Sequence, residues 1–190
     1  LIKSSAEAGC NAVKFQKRTI DLVYTKEELA AHRESPWGNT NRQQKEGLEF
    51  NLDQYKELEE YSTKLGVDFI VSCWDINSVD NIEKSCNVKY HKVASALATD
   101  KQFLQRLRET GKPIILSTGM MTEKEISSAV NILGDSVKYI LACTSTYPTK
   151  PEEVNLKHIV KLKMEYGLPT GFSNHYNGLD ACVGSIVLGA

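Results

Sequence analysis

The sequence predicts an α/β fold of the (β/α)8 TIM-barrel class, of which residues 1–190 supply about six strand–helix units. Three observations lead there. From residue 11 onward, short β-rich apolar runs alternate with amphipathic helical runs. The strand runs carry consecutive apolar or small residues, as strands covered on both faces do. A similar turn introduces several of them (AGCNAV, LGVDFI, CNVKYH, TGKPII, YGLPTG), a weak repeat with a period of roughly 20 to 40 residues, one βα unit each.

Taken in order, residues 1–9 read as the tail of a helix ending at Gly9. Strands are expected at 12–16 (AVKFQ), 68–72 (DFIVS), 90–95 (YHKVAS), 113–118 (PIILST), 137–145 (VKYILACTS) and 170–174 (TGFSN). Helices are expected between them. Residues 53–65 space Tyr55, Leu58, Tyr61 and Leu65 on one face and stop at Gly66. Shorter ones fall at 79–85 and 102–109, and longer ones at 123–133 and 156–166, followed by Gly134 and Gly167. Thr99 with Gln102, and Thr122 with Glu125, have capping-box spacing. Residues 17–51 form the one long irregular stretch, expected as a βα loop folding over the barrel mouth. A helix ends the chain at Gly189. Six strands imply that the first and last strands of a closed barrel lie outside residues 1–190. A doubly wound sheet presents the same alternation, and no Gly-rich nucleotide fingerprint separates the two.

Composition narrows the function. Hydrophobic residues make up 41% and charged residues 25%, ordinary for one globular domain. The net charge of −1 is spread evenly, so neither a nucleic-acid surface nor a membrane partner is indicated. No apolar run reaches membrane-spanning length, and the five cysteines form no CxxC pair, which reads as a cytoplasmic protein. P-loop, GxGxxG, GxSxG and HExxH motifs are all missing.

In parallel barrels the C-terminal strand ends build the site. Here they carry Lys14 and Gln16, Ser72, Lys92 and Ser95, Ser117, Ser145 and Tyr147, and Ser173 with His175. Lys14 and Lys92 lie inside apolar runs, where an ammonium is costly unless an anion compensates it. The strands bring few carboxylates, so an external, phosphorylated dianion is the expected partner, with the serines as additional donors. His175 stands alone at a strand end, and no second metal ligand is evident near it.

These residues, in this order, resemble the sialic acid synthase family. The resemblance covers essentially the whole chain and rests on AGCNAVKFQ (8–16), KVAS (92–95), GKPIILSTGM (111–120), CTSTYP (143–148) with the downstream EEVNL, and GFSNH (171–175). It implies a condensation of phosphoenolpyruvate with an N-acylated hexosamine, assisted by Mn2+ or Mg2+, giving a sialic or related nonulosonic acid and phosphate. Position by position, it assigns Lys14, Ser72, Lys92, Ser95, Ser117 and Ser173 to phosphoenolpyruvate. Gln16, Ser145 and Tyr147 would face the amino sugar, and His175 would be one of two metal-binding histidines. The family's catalytic glutamate would lie upstream of Leu1, and its second metal histidine after Ala190. The C-terminal antifreeze-like domain, which reaches across a homodimer in the full-length form, is not among residues 1–190. Leu97, Ser145 and the Ser173-Asn174-His175 run depart from the commonest family residues, leaving the product open among N-acetylneuraminic, legionaminic, pseudaminic and surface-polysaccharide sugars. Two other readings stand beside this one. The first is a Schiff-base aldolase using Lys14 or Lys92 as nucleophile. The second is a phosphate-binding barrel fragment without turnover.

Overall fold

A computed structural model describes all 190 residues, which form two compact units, Leu1–Lys89 and Tyr90–Ala190.

The first unit opens with helix α1 (Ile2–Glu7), turns at Gly9, and enters strand β1 (Ala12–Lys17). The stretch expected as irregular is folded instead. It holds α2 (Ile20–Val23), α3 (Lys26–Ala30), an antiparallel hairpin of β2 (His32–Ser35) and β3 (Gly38–Thr40), and α4 (Asn41–Leu48). Two capping boxes, Thr25 with Glu28 and Thr40 with Gln43, explain why helices start there. Lys17 ties the end of this stretch to β1, donating to Glu49 at 2.7 Å and to the Phe50 carbonyl at 3.1 Å. Helix α5 (Leu52–Lys64) is capped by Asn51 and buries Tyr55 and Ser62. Strand β4 (Asp68–Cys73) runs parallel to β1 with Lys14 opposite Ile70 and Gln16 opposite Ser72. Helix α6 (Ile76–Ser85) starts three residues earlier than its apolar pattern suggests, because Asp75 accepts from the Ser78 amide at 2.7 Å.

The second unit repeats β and α without interruption. Its elements are β5 (Tyr90–Val93), α7 (Lys101–Glu109), β6 (Ile114–Ser117), α8 (Glu123–Leu133), β7 (Val137–Cys143), α9 (Lys157–Tyr166), β8 (Thr170–Ser173) and α10 (Asp180–Val187). β5, β6, β7 and β8 are neighbours in chain order and pair in parallel. That order has no reversal point, which is barrel-type winding and not that of a doubly wound sheet. The strands stop one or two residues short of the sequence expectation, and Ser95 sits in a 3-10 turn after β5. The box expected at Thr99 and Gln102 does not form. Asp100 caps α7 instead, accepting from Phe103 at 3.0 Å, because its carboxylate reaches the third amide of the turn. The Thr122–Glu125 box does form on α8.

Helix faces and strands share one core here. Ile126 from α8, Ile140 and Ala142 from β7, and Ile159 and Leu162 from α9 are all buried together. Each large aliphatic side chain so buried contributes roughly 1.5–3 kcal/mol. Gly167 ends α9 in the left-handed conformation (φ 64°), which spares the chain the strain a Cβ brings there. No helix is long and apolar enough to cross a membrane.

Candidate active site

Parallel pairing puts the C-terminal strand ends of each unit on one rim, and the predicted residues stand on those rims. In the first unit, Lys14 and Gln16 lie two apart on β1 and so share a face, with Ser72 opposite Gln16 on β4. Ser72 is fully buried. Lys14 is not the buried lysine expected from its apolar run but an exposed one. Its ammonium is nevertheless crowded: desolvation first, and then the Arg18 guanidinium, hold its pKa below the usual lysine value. No carboxylate pairs with it. Gln16 is exposed, and its Oε1 accepts from Arg18 Nη2. Its carbonyl accepts from Tyr55 Oη at 2.5 Å.

In the second unit, Lys92 alternates with buried His91 and Val93 on β5, so lysine and histidine point to opposite faces as the sequence implies. Lys92 is half-buried and engaged by neighbours, so the expected pair of uncompensated cations reduces to Lys14. Ser117 ends β6 fully buried, and its Oγ has no hydrogen-bond partner. A buried hydroxyl without a partner costs about 1–3 kcal/mol, so it is a group waiting for a ligand or an open cost to stability.

The residues after β5, β6 and β7 meet at Gly119. Its amide donates to Ser95 Oγ at 3.0 Å. A Cβ built on Gly119 would stand 2.2 Å from Ser145 Oγ, 2.9 Å from Ser95 Oγ and 3.1 Å from Cys143 Sγ. Glycine is therefore required by close approach. The structure thus brings Ser95 and Ser145 to one point, together with the thiol of Cys143.

Cys143 also stands 3.9 Å from His175 Nδ1 and lies opposite Ser173 in the β7–β8 register. His175 Nδ1 is 2.8 Å from the Thr144 carbonyl. A carbonyl only accepts, so Nδ1 carries a proton, and in the neutral ring Nε2 is then the nitrogen with the lone pair, the tautomer of a metal-ligating histidine with a backbone second partner. The Tyr147 ring lies over the imidazole, with centroids 4.1 Å apart. Burial first, then Cys143, push the Tyr147 hydroxyl above its usual pKa. Nowhere do three His, Cys, Asp or Glu gather as a complete metal site, so these residues fit a divalent ion through one nitrogen.

The loop after β7 is fastened by Glu153, a residue of the EEVNL run to which the sequence assigns no role of its own. Glu153 accepts from Thr146 Oγ1 at 2.8 Å and the Lys150 amide at 3.1 Å, and its carbonyl accepts from Thr144 Oγ1 at 3.0 Å. Thr149 then donates its amide to the His175 carbonyl at 3.0 Å. Ser145, Tyr147 and His175 are held through this one network.

All 190 residues match the NeuB family. The chain belongs to that family. It is 33% identical over 196 residues to an N-acetylneuraminate-9-phosphate synthase of Mus musculus, covering 100% of this chain and 54% of that protein. It is 33% identical over 198 residues to an N,N'-diacetyllegionaminic acid synthase of Campylobacter jejuni subsp. jejuni serotype O:2, covering 100% of this chain and 59% of the relative. Among solved structures it resembles the N-acetylneuraminic acid synthetase of Leptospira borgpetersenii serovar Hardjo-bovis, crystallised with citrate, at a TM-score of 0.87 and 25% identity over 100% of this chain and 63% of the other. The chain spans about half the length of the curated relatives it matches.

Proposed function

We propose that this NeuB-family chain contributes to an enzyme that condenses phosphoenolpyruvate with an N-acylated, N-acetylmannosamine-like hexosamine, giving a sialic or related nonulosonic acid and inorganic phosphate. The methylene carbon of phosphoenolpyruvate forms a bond to the sugar's carbonyl carbon, whose oxygen takes up a proton. Water adds to the carbon that carried the phosphate ester, and that C–O bond breaks to release phosphate. Lys14, Ser72, Lys92, Ser95, Ser117 and Ser173 are assigned to the phosphate and carboxylate of phosphoenolpyruvate. Gln16, Ser145 and Tyr147 are assigned to the amino sugar. The general acid–base glutamate is assigned outside residues 1–190, as are a second metal histidine, an antifreeze-like domain and the homodimer contact it makes. Action in the cytoplasm belongs to the same reading.

The observation that carries the proposal is the meeting of Ser95 and Ser145 at Gly119 beside the unpartnered, buried Ser117. A hydroxyl fixed in advance and left unsatisfied, as that of Ser117 is, favours an oxygen-rich anion without reorganisation. His175 would hold Mn2+ or Mg2+ through Nε2, with Nδ1–H anchored on Thr144. When bound, the ion supplies Lewis acidity toward the sugar's carbonyl. Tyr147 shields the imidazole on one face and limits water there.

The test is phosphate release by the full-length protein from phosphoenolpyruvate, with N-acetylmannosamine and related N-acyl hexosamines and a divalent metal, the product being read by mass. Sugar-dependent release supports the proposal, and no release with any of these sugars ends it. The lowered pKa of Lys14 favours a second reading, the Schiff-base aldolase. Borohydride reduction in the presence of pyruvate separates the two: a covalent adduct on Lys14 or Lys92 supports the aldolase, and the absence of any adduct supports the synthase.

A further inference from the structure

In the loop between β8 and α10, the residue before His175 grips the residue after it. Asn174 Oδ1 accepts from the Tyr176 amide at 2.9 Å, and its Nδ2 donates to the Tyr176 carbonyl at 2.9 Å. One side chain thus takes up both backbone groups of Tyr176 and closes a turn with His175 at its centre. The same Nδ2 donates to Cys182 Sγ at 3.3 Å, which carries the grip outside the turn. Cys182 belongs to α10 and stands next to Ala181, which α10 buries together with Ser185, so the sulfur is a fixed anchor. Tyr176 is wedged by a second neighbour: a Cβ on Gly178 would stand 2.3 Å from its Cε1. Only an amide side chain of this length suits the place. An ionised aspartate has no donor for the carbonyl or the sulfur, and a serine has one hydroxyl for three partners.

We infer that Asn174, anchored on Cys182, is a positioning residue that aims His175 Nε2 at the divalent ion. The inference rests on the synthase reading, which gives His175 that ion. Two tethers reach His175 from the loop after β7: Nδ1–H donates to the Thr144 carbonyl at 2.8 Å, and the His175 carbonyl accepts from the Thr149 amide at 3.0 Å. Asn174 supplies the tether from α10, through the peptide groups on either side of the histidine. With the first set alone, the ring pivots about its bond to Thr144, and the Nε2 lone pair leaves the line on which an ion is held. Metal affinity follows that line closely, which is why partners that orient a ligating histidine matter nearly as much as the ligand. Glu153 reaches His175 at a distance, through the loop that carries Thr149, whereas Asn174 is its neighbour in the chain. Asn174 therefore governs the ion where Glu153 governs the loop.

The experiment titrates Mn2+ into the full-length protein and counts the free ion by its electron paramagnetic resonance signal, a readout that needs no turnover. Asn174→Ala is expected to weaken Mn2+ binding about tenfold, the scale of losing a partner that orients a metal ligand, while phosphoenolpyruvate binding stays within about twofold. Cys182→Val cuts the anchor and leaves both bonds to Tyr176, so it should weaken Mn2+ binding by about threefold, a part of that loss. Cys182→Ser, whose hydroxyl still accepts from Nδ2, should bring binding back to the wild-type value. Should Asn174→Ala fail to fold, the two Cys182 variants decide alone. Unchanged Mn2+ affinity in the variants overturns the inference, and so does an equal loss of Mn2+ and phosphoenolpyruvate binding, which marks Asn174 as a residue of the fold. A wild-type protein that binds no Mn2+ also overturns it. The synthase reading stands or falls separately, on sugar-dependent phosphate release by the wild type.

Discussion

Gly119 and Ser95 are joined by a 3.0 Å hydrogen bond from the glycine amide to the serine hydroxyl, and the missing Cβ of Gly119 leaves the room in which Ser145 Oγ stands. Gly119→Ala would put a methyl group against both hydroxyls and the Cys143 thiol. Ser145 can rotate away, but Ser95 is tethered to the same residue that would push it. Overpacking of this kind costs about 1–3 kcal/mol. Misplacing two ligand hydroxyls by a fraction of an ångström is expected to cost about a hundredfold in turnover. Urea unfolding and phosphate release, measured on one preparation, check both numbers. A variant that loses stability and keeps full turnover would separate Gly119 from the site.

Ser117 makes the opposite prediction for stability. Its hydroxyl is fully buried and unpartnered, so Ser117→Ala removes a group that gains nothing in the free chain. Stability is expected to stay level or rise by about 1 kcal/mol, while affinity for phosphoenolpyruvate falls about tenfold. Thermal unfolding with and without phosphoenolpyruvate reads both effects. A large loss of stability in the free variant would mean that Ser117 serves the fold.

Much of this was written in the sequence, and the reason is periodicity. Apolar runs of strand length locate β1, β4 and β5 to β8, and a parallel sheet then dictates that Lys14, Lys92, Ser117 and His175 stand at one kind of strand end. The meeting at Gly119 is not legible that way, because it joins segments following three different strands and depends on distances of a few ångströms. Residues 17–51 look irregular because their helices are too short to show a period. Their signals are local instead, in the capping boxes Thr25–Glu28 and Thr40–Gln43. The choice of Asp100 over Thr99 as the cap of α7 turns on backbone geometry that spacing alone does not fix.

Lys14 gives a pH dependence with a definite sign. Its folded pKa lies below 10.5 through desolvation and Arg18. Between that lowered value and 10.5 the folded chain binds fewer protons than the unfolded one, so this group makes stability rise with pH across that window. Anion binding needs the ammonium, so affinity for phosphoenolpyruvate should fall with rising pH earlier than an ordinary lysine allows. Lys14→Arg keeps its charge throughout and should flatten the profile. Calorimetric titration from neutral to alkaline pH checks this. A wild-type profile as flat as the variant's would detach Lys14 from the anion.

Glu153 and His175 separate positioning from metal binding. Glu153 holds the loop through Thr146 and the Lys150 amide, hydrogen bonds that also lower its pKa. Its contribution is complete above the unfolded value of 4.5 and is lost as pH falls through the lower folded value. Glu153→Gln weakens these bonds without touching the imidazole, so the KM for the sugar should rise several-fold while the metal concentration for half-maximal rate stays the same. His175→Gln, by contrast, removes Nε2 itself and should raise that metal concentration by more than about 10- to 100-fold, the usual cost of losing only a partner that supports a metal ligand. Chelation with EDTA should stop turnover in the wild type yet leave phosphoenolpyruvate binding, which relies on lysines and serines, within a few-fold of its starting value. If chelation abolished phosphoenolpyruvate binding as well, the division between the serine cluster and His175 would fail, and the ion would have to be assigned to both substrates.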